Sequence, residues 1–134
     1  MTGYLIDTSV WIEFFRGRKE GIKKRILELL DHNRIFTNGI VIAELLVGSS
    51  GKREINFVKE NLLKLNYLDT GMEFFFSCGE MGNQLRQAGI SVPFSDLVIA
   101  THAKQHRLIV LTLDQHYESI GLCQGVRFEI LKNF

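Results

Sequence analysis

Tyr4-Leu5-Ile6-Asp7-Thr8-Ser9 is a short apolar run that stops abruptly at an acid and two hydroxyls. It reads as a central strand delivering the Asp7 carboxylate to its C-terminal end. In open α/β sheets the ligand crevice lies outside the carboxyl ends of the strands, where the winding reverses, so an acid there is placed for chemistry. The rest of the chain is read for its partners.

Downstream, strand and helix patterns alternate. Residues 10–15 are dense in apolar side chains and end near Gly17, which predicts a short buried helix with Trp11 and Phe14 toward the sheet. Residues 19–30 place Ile22, Ile26, Leu29 and Leu30 at helical spacing, with Lys23, Lys24 and Glu28 on other faces. Arg34-Ile35-Phe36-Thr37 reads as a strand, residues 39–47 as a helix ended by Gly48-Ser49-Ser50-Gly51, and residues 52–63 as another amphipathic helix. The alternation in residues 64–68 predicts a strand. A helix over residues 71–88 carries Gly79 and Gly82 for close packing, and Gly89 ends it. Pro93 breaks the chain, Ser95 is a natural N-cap, and residues 96–106 continue as a helix. Leu108-Ile109-Val110-Leu111 is the most apolar strand, and residues 126–130 read as an edge strand.

Strands alternating with helices indicate a parallel sheet covered on both faces, hence a three-layer α/β/α domain with right-handed crossovers. The fully apolar runs mark Leu5-Ile6 and residues 108–111 as central neighbours. The 134 residues are expected to form one domain, 1–134, because the chain is too short for two ordinary cores.

Composition narrows the function classes. With 46% apolar and 23% charged residues the chain is that of a soluble globular protein. A formal charge of +1 excludes a histone-like binder, so affinity for a polyanion must come from local patches or bound cations. The densest basic region, residues 16–25, is a candidate RNA-backbone contact or simply a solvated face. Cys78 and Cys123 form no CxxC pair and read as free thiols of a reducing cytoplasm. No apolar run approaches the roughly 20 residues that cross a bilayer, so no membrane association is expected.

Besides Asp7, three acids stand in apolar company. Glu44 lies in Gly39-Ile40-Val41-Ile42-Ala43-Glu44-Leu45-Leu46-Val47-Gly48, where its neighbours three and four positions away are Ile40, Val41, Val47 and Gly48. A carboxylate on an apolar face is costly unless something positive or hydrogen-bonding meets it, which points to function or to a buried salt bridge. Asp96 follows Ser95 at a helix start, where the dipole alone favours an acid. Asp114 ends Leu-Ile-Val-Leu-Thr-Leu as Asp7 ends its own strand, and alone it is also explained as a turn residue. Together these acids are predicted to converge on one crevice, with Thr8, Ser9 and Thr112 as supporting hydroxyls. Several carboxylates share a cleft only with raised pKa values or a cation among them. An all-oxygen cluster suits Mg²⁺ or Mn²⁺, and such a metal activates water at a phosphoryl centre.

Other motifs carry less. His102 and His106, four apart on one helix, lack the further Cys or His ligands of a zinc site and read as a partly exposed pair. Gly48-Ser49-Ser50-Gly51-Lys52 follows a helix and lacks the GxxxxGK[ST] spacing of a phosphate loop.

Leu5-Ile6-Asp7-Thr8-Ser9, Val41-Ile42-Ala43-Glu44-Leu45, Ser95-Asp96-Leu97-Val98-Ile99-Ala100 and Leu111-Thr112-Leu113-Asp114-Gln115-His116-Tyr117, in that order, resemble the motifs of PIN-domain ribonucleases, specifically the VapC-type toxins of toxin–antitoxin pairs. The resemblance implies a PIN-like fold, a Mg²⁺- or Mn²⁺-dependent endoribonuclease with Asp7, Glu44, Asp96 and Asp114 at the metal, a homodimer, and a separate antitoxin. Tyr117 stands where that family usually has phenylalanine. A catalytically silent PIN-like module binding RNA or protein is one rival reading, and a receiver-like phospho-signalling domain is another. The latter leaves Glu44 unexplained.

Overall fold

The computed structural model describes residues 2–132. In chain order the elements are β1 (Tyr4–Ile6), α1 (Thr8–Arg16), α2 (Glu20–Asp31), β2 (Ile35–Asn38), α3 (Gly39–Val47), α4 (Lys52–Leu62), β3 (Asn66–Leu68), α5 (Met72–Gln87), α6 (Phe94–His106), β4 (Ile109–Thr112), α7 (His116–Gln124) and β5 (Phe128–Ile130). The five strands are all parallel, in the order β3-β2-β1-β4-β5. The chain winds outward from β1 to β3, crosses to the far side of β1 with β4, and ends on β5. Right-handed crossovers then put α1–α4 on one face and α5–α7 on the other, the three layers expected.

Winding reverses between β1 and β4, and these are the most buried strands: Leu5, Ile6, Val110 and Leu111 are all 0% exposed. Ile6 pairs with Leu111, and the Asp7 N–H donates to the Leu111 carbonyl at 2.9 Å, which brings Asp7 to the level of Thr112. The apolar runs thus place two acid-bearing strand ends side by side. Around them Trp11 packs edge-on against Phe14 and stacked on Phe15, and Gly17 closes α1 in the left-handed region at φ 69°.

Four sequence expectations change. The helix expected to start after a Ser95 cap begins at Phe94, with Pro93 at the cap, whose carbonyl accepts from the Leu97 N–H. Proline supplies the extended φ of a cap, so the helix starts two residues early. The sequence carries no signal for the helix α7: its buried apolar side chains, Tyr117 and Ile120, are too few to make a helical stripe. Glu44 is exposed rather than set in an apolar surround, because α3 is apolar all round and its outer face, with Val47 87% exposed, is left uncovered. His102 is fully buried: its Nδ1 accepts from Asn38 Nδ2 at 3.0 Å, its Nε2 lies 3.4 Å from the Asp69 carbonyl, and its ring lies on Phe74.

The glycines yield a paired prediction. A Cβ on Gly121 would meet the Phe128 ring at 2.5 Å and the Val126 carbonyl at 2.8 Å, so Gly121→Ala is expected to lower stability by about 1–3 kcal/mol in denaturant unfolding. Gly79, exposed on α5 with nothing within 4 Å, should gain about 0.5–1 kcal/mol as alanine.

Candidate functional site

Asp7 leaves β1 as the residue before α1, buried to 6% exposure, with an extended backbone and a carboxylate that does not cap the helix. The carboxylate turns toward β4 instead. Its Oδ2 accepts 2.8 Å hydrogen bonds from Ser9 Oγ and from Thr112 Oγ1. Those hydroxyls are held in turn: Ser9 Oγ accepts from the Leu113 N–H at 3.2 Å and Thr112 Oγ1 from the Asp114 N–H at 2.9 Å. One hydroxyl chain therefore fixes Asp7 and positions the loop that carries Asp114. Burial raises the Asp7 pKa, the hydroxyl and amide hydrogen bonds oppose that rise, and the charge of Asp114 adds to it.

Asp96 arrives from the first turn of α6, 8% exposed, and its Oδ1 accepts from the Tyr117 hydroxyl at 3.3 Å. Burial first, then the charges of Asp7 and Asp114, push its carboxyl up to about 6, against the Tyr117 hydrogen bond and the His116 ring. Tyr117 itself, 0% exposed, is held well above its usual range by burial and by the same acids. Asp114 accepts the His116 N–H on Oδ1 at 2.9 Å and meets His116 Nδ1 with Oδ2 at 3.0 Å. It serves the turn into α7 and faces the crevice at once. Glu44 comes from α3 and reaches the group through Thr8, whose Oγ1 donates to Oε1 at 2.8 Å.

Asp96, Asp114 and His116 each offer a ligand atom within 4.8 Å of the others. Asp7 and Glu44 are not in that tight group; Asp7 acts on it through its charge and Glu44 adjoins it through Thr8. The three expected hydroxyls are all engaged with these acids. Two participants, His116 and the Tyr117 hydroxyl, were not assigned a site role from sequence. Both start α7, and only that helix, which leaves no periodic trace in the sequence, turns them back toward Asp96. The basic run fares differently: Arg25 is turned to the sheet, bonded to Tyr4 and to Glu129 at 3.0 Å, and Arg16 pairs with Glu13. Arg18, Lys23 and Lys24 remain exposed.

An acid crevice at the switch point of a five-stranded parallel sheet has a family match: residues 4–121 fit the PIN domain. The chain belongs to that family. This PIN domain is 32% identical over 97 residues to Ribonuclease VapC3 of Methanocaldococcus jannaschii, covering 72% of this chain and 94% of that protein. It is 28% identical over 113 residues to Ribonuclease VapC2 of Rickettsia felis, covering 81% and 84%. Its fold is similar to that seen in the crystal structure of VapBC2 from Rickettsia felis bound to a promoter DNA fragment, at a TM-score of 0.81 and 22% identity over 96% of this chain and 98% of that one.

The raised Asp96 carboxyl sets a pH dependence. In metal-free protein Asp96 holds its proton more tightly folded than unfolded, so its contribution to stability is complete below the ordinary carboxylate value of 3.8 and is lost as pH rises through about 6. Thermal melts in EDTA should show Tm falling across that window. Asp96→Asn is expected to remove this part of the fall and to melt no lower than wild type at pH 7. If Asp96 serves only the helix N-terminus, the variant instead loses a few tenths to about 1 kcal/mol.

Proposed function

We propose that this PIN domain, residues 1–134 as one nuclease unit, is a divalent-metal-dependent endoribonuclease acting as the toxin of a toxin–antitoxin pair. The observation that carries the reading is the convergence of Asp7, Asp96 and Asp114 at the β1/β4 switch point, with Asp96 pushed up to about 6 by burial and by the other two charges. Carboxylates so placed ionise together at neutral pH when a cation neutralises them. Their oxygen donors suit Mg²⁺, with Mn²⁺ able to substitute. Asp96 and Asp114 hold the cation, and Asp7 and Glu44 ligate it or orient the groups that do. A bound divalent cation supplies an activated water and neutralises charge developing on the scissile phosphate. The chain's own residues supply preorganisation: Ser9 and Thr112 fix Asp7, Thr8 fixes Glu44, and the Tyr117 hydroxyl fixes Asp96, so little rearrangement is needed when an RNA phosphate arrives.

The names of the two ribonuclease relatives support RNA as the substrate. With the family assigned, the receiver-like reading has no support. A protein partner is supported by a cleft of about 230 Å³ at Glu44, where Ile12, Phe15, Leu45 and Val58 give apolar surface beside the charged Arg16 and Glu54. That is the seat we assign to the antitoxin. A homodimer is supported by exposed Met72, Phe75 and Phe76 on α5, apolar area of the kind interfaces bury. Among the described residues no helix is long and apolar enough to cross a membrane, in keeping with a cytoplasmic location.

Purified protein is expected to cleave RNA internally with Mg²⁺ or Mn²⁺ and to stop with EDTA. Asp7→Asn, folded by circular dichroism, should lose about 10- to 100-fold of that rate. Cleavage at the wild-type rate by a folded Asp7→Asn protein would sink the assignment, and RNA binding without cleavage under either cation would indicate the silent module. Expression without an antitoxin should arrest growth for wild type and not for Asp7→Asn.

A further inference from the structure

The tight ligand group contains a nitrogen donor. His116 is the first residue of α7, and the carboxylate of Asp114 clasps it twice, through its backbone N–H at 2.9 Å and through Nδ1 at 3.0 Å. That clasp sets the imidazole so that a ring nitrogen lies within 4.8 Å of ligand oxygens of both Asp96 and Asp114. The helix does not account for a histidine there, because its N-terminal dipole favours anions. Nor does packing, since the His116 side chain is 62% exposed.

We propose that His116 is itself a ligand of the metal centre and that it shifts the site's preference from Mg²⁺ to a first-row transition cation, Mn²⁺ being the one a carboxylate-rich site also accepts. The inference rests on the acid-centre reading given above and adds a ligand to it. Mg²⁺ demands near-ideal octahedral oxygen coordination and keeps its waters, so an imidazole in place of a water brings it little. First-row divalent cations accept mixed nitrogen and oxygen donors, and Mn²⁺ accepts carboxylates as readily as Mg²⁺ does. One imidazole among carboxylates therefore discriminates between two cations that carboxylates alone treat alike. Nδ1 lies 3.0 Å from Asp114 Oδ2, close enough for one cation to take the ring nitrogen and the carboxylate as neighbouring ligands in place of that hydrogen bond. On the alternative, His116 only pairs with Asp114 at the helix start and leaves metal preference untouched.

The test uses Mn²⁺ and Mg²⁺ alone as probes, without substrate. Mn²⁺ binding is followed by the loss of its free electron-paramagnetic signal, Mg²⁺ by competition, and the bound Mn²⁺ is examined by electron spin-echo envelope modulation for coordinated nitrogen. Wild type is expected to show imidazole-nitrogen modulation and to prefer Mn²⁺. His116→Ala and His116→Asn, exposed changes that leave the fold intact, should lose the modulation and reduce the Mn²⁺-over-Mg²⁺ preference by about tenfold, while Mg²⁺ affinity stays near wild type. Bound Mn²⁺ without nitrogen modulation in wild type, or an unchanged preference in the variants, overturns the role of His116 and leaves the acid centre standing. Mn²⁺ binding that survives Asp96→Asn in full, or no Mn²⁺ binding by wild type, overturns the acid centre and with it this inference.

Discussion

The hydrogen bond from Thr112 Oγ1 to Asp7 Oδ2 spans the one seam of the sheet where the winding reverses, and the site hangs on it. Everything upstream serves that seam. Leu5, Ile6, Val110 and Leu111 are buried on both faces, so the register of β1 against β4 is enforced by core packing rather than by the polar groups themselves. A slip by one residue would turn Asp7 away from Thr112 and drive its charge into the core. The same threonine oxygen accepts the Asp114 N–H, so the second acid inherits its position from the first.

A second buried network ties the helices to this frame. The Asn38 side chain accepts the Val41 N–H at the start of α3, and its amide donates to His102 on α6. Those helices carry Glu44 and Asp96, so the Asn–His contact joins the packing of α3 on α6 in tying together two acids contributed from opposite layers. Since Asn38 Nδ2 donates, Nδ1 of His102 accepts, and the ring's remaining N–H faces the Asp69 carbonyl at 3.4 Å. The result is a rigid cup in which like charges meet at reduced hydration. Such a cup lowers the stability of the metal-free fold in return for a site that needs no assembly when the cation arrives.

What could be read from sequence follows from where burial leaves a periodic trace. The strands were legible because buried parallel strands are unbroken apolar runs, and the pairing of β1 with β4 followed from those runs alone. Asp7 and Asp114 were legible as the points where such runs stop. Glu44 is a different case: its apolar neighbours in sequence suggest burial, whereas α3 presents apolar side chains even to solvent, and Glu44 stands exposed beside Thr8. The start of α6 was displaced because a serine and a proline compete for the cap, and the proline's fixed φ prevails. The largest loss was α7, which buries Tyr117 and Ile120 and closes on Gly125, too little pattern to separate it from a loop. Without it His116 and Tyr117 were a motif and not a wall of the site. His102 shows the converse: helical spacing to His106 suggested a surface pair, and only the tertiary meeting of β2 with α6 shows that it is buried.

The central claim is that this crevice is a divalent-cation centre built by acids from β1, α6 and the loop after β4. Anomalous diffraction at the manganese edge from crystals equilibrated with Mn²⁺ tests it most directly. The account predicts a peak in coordinating contact with the carboxylates of Asp96 and Asp114, on the side facing Asp7. A crystal that takes up Mn²⁺ only elsewhere, or that shows no peak between these carboxylates at saturating metal, contradicts it.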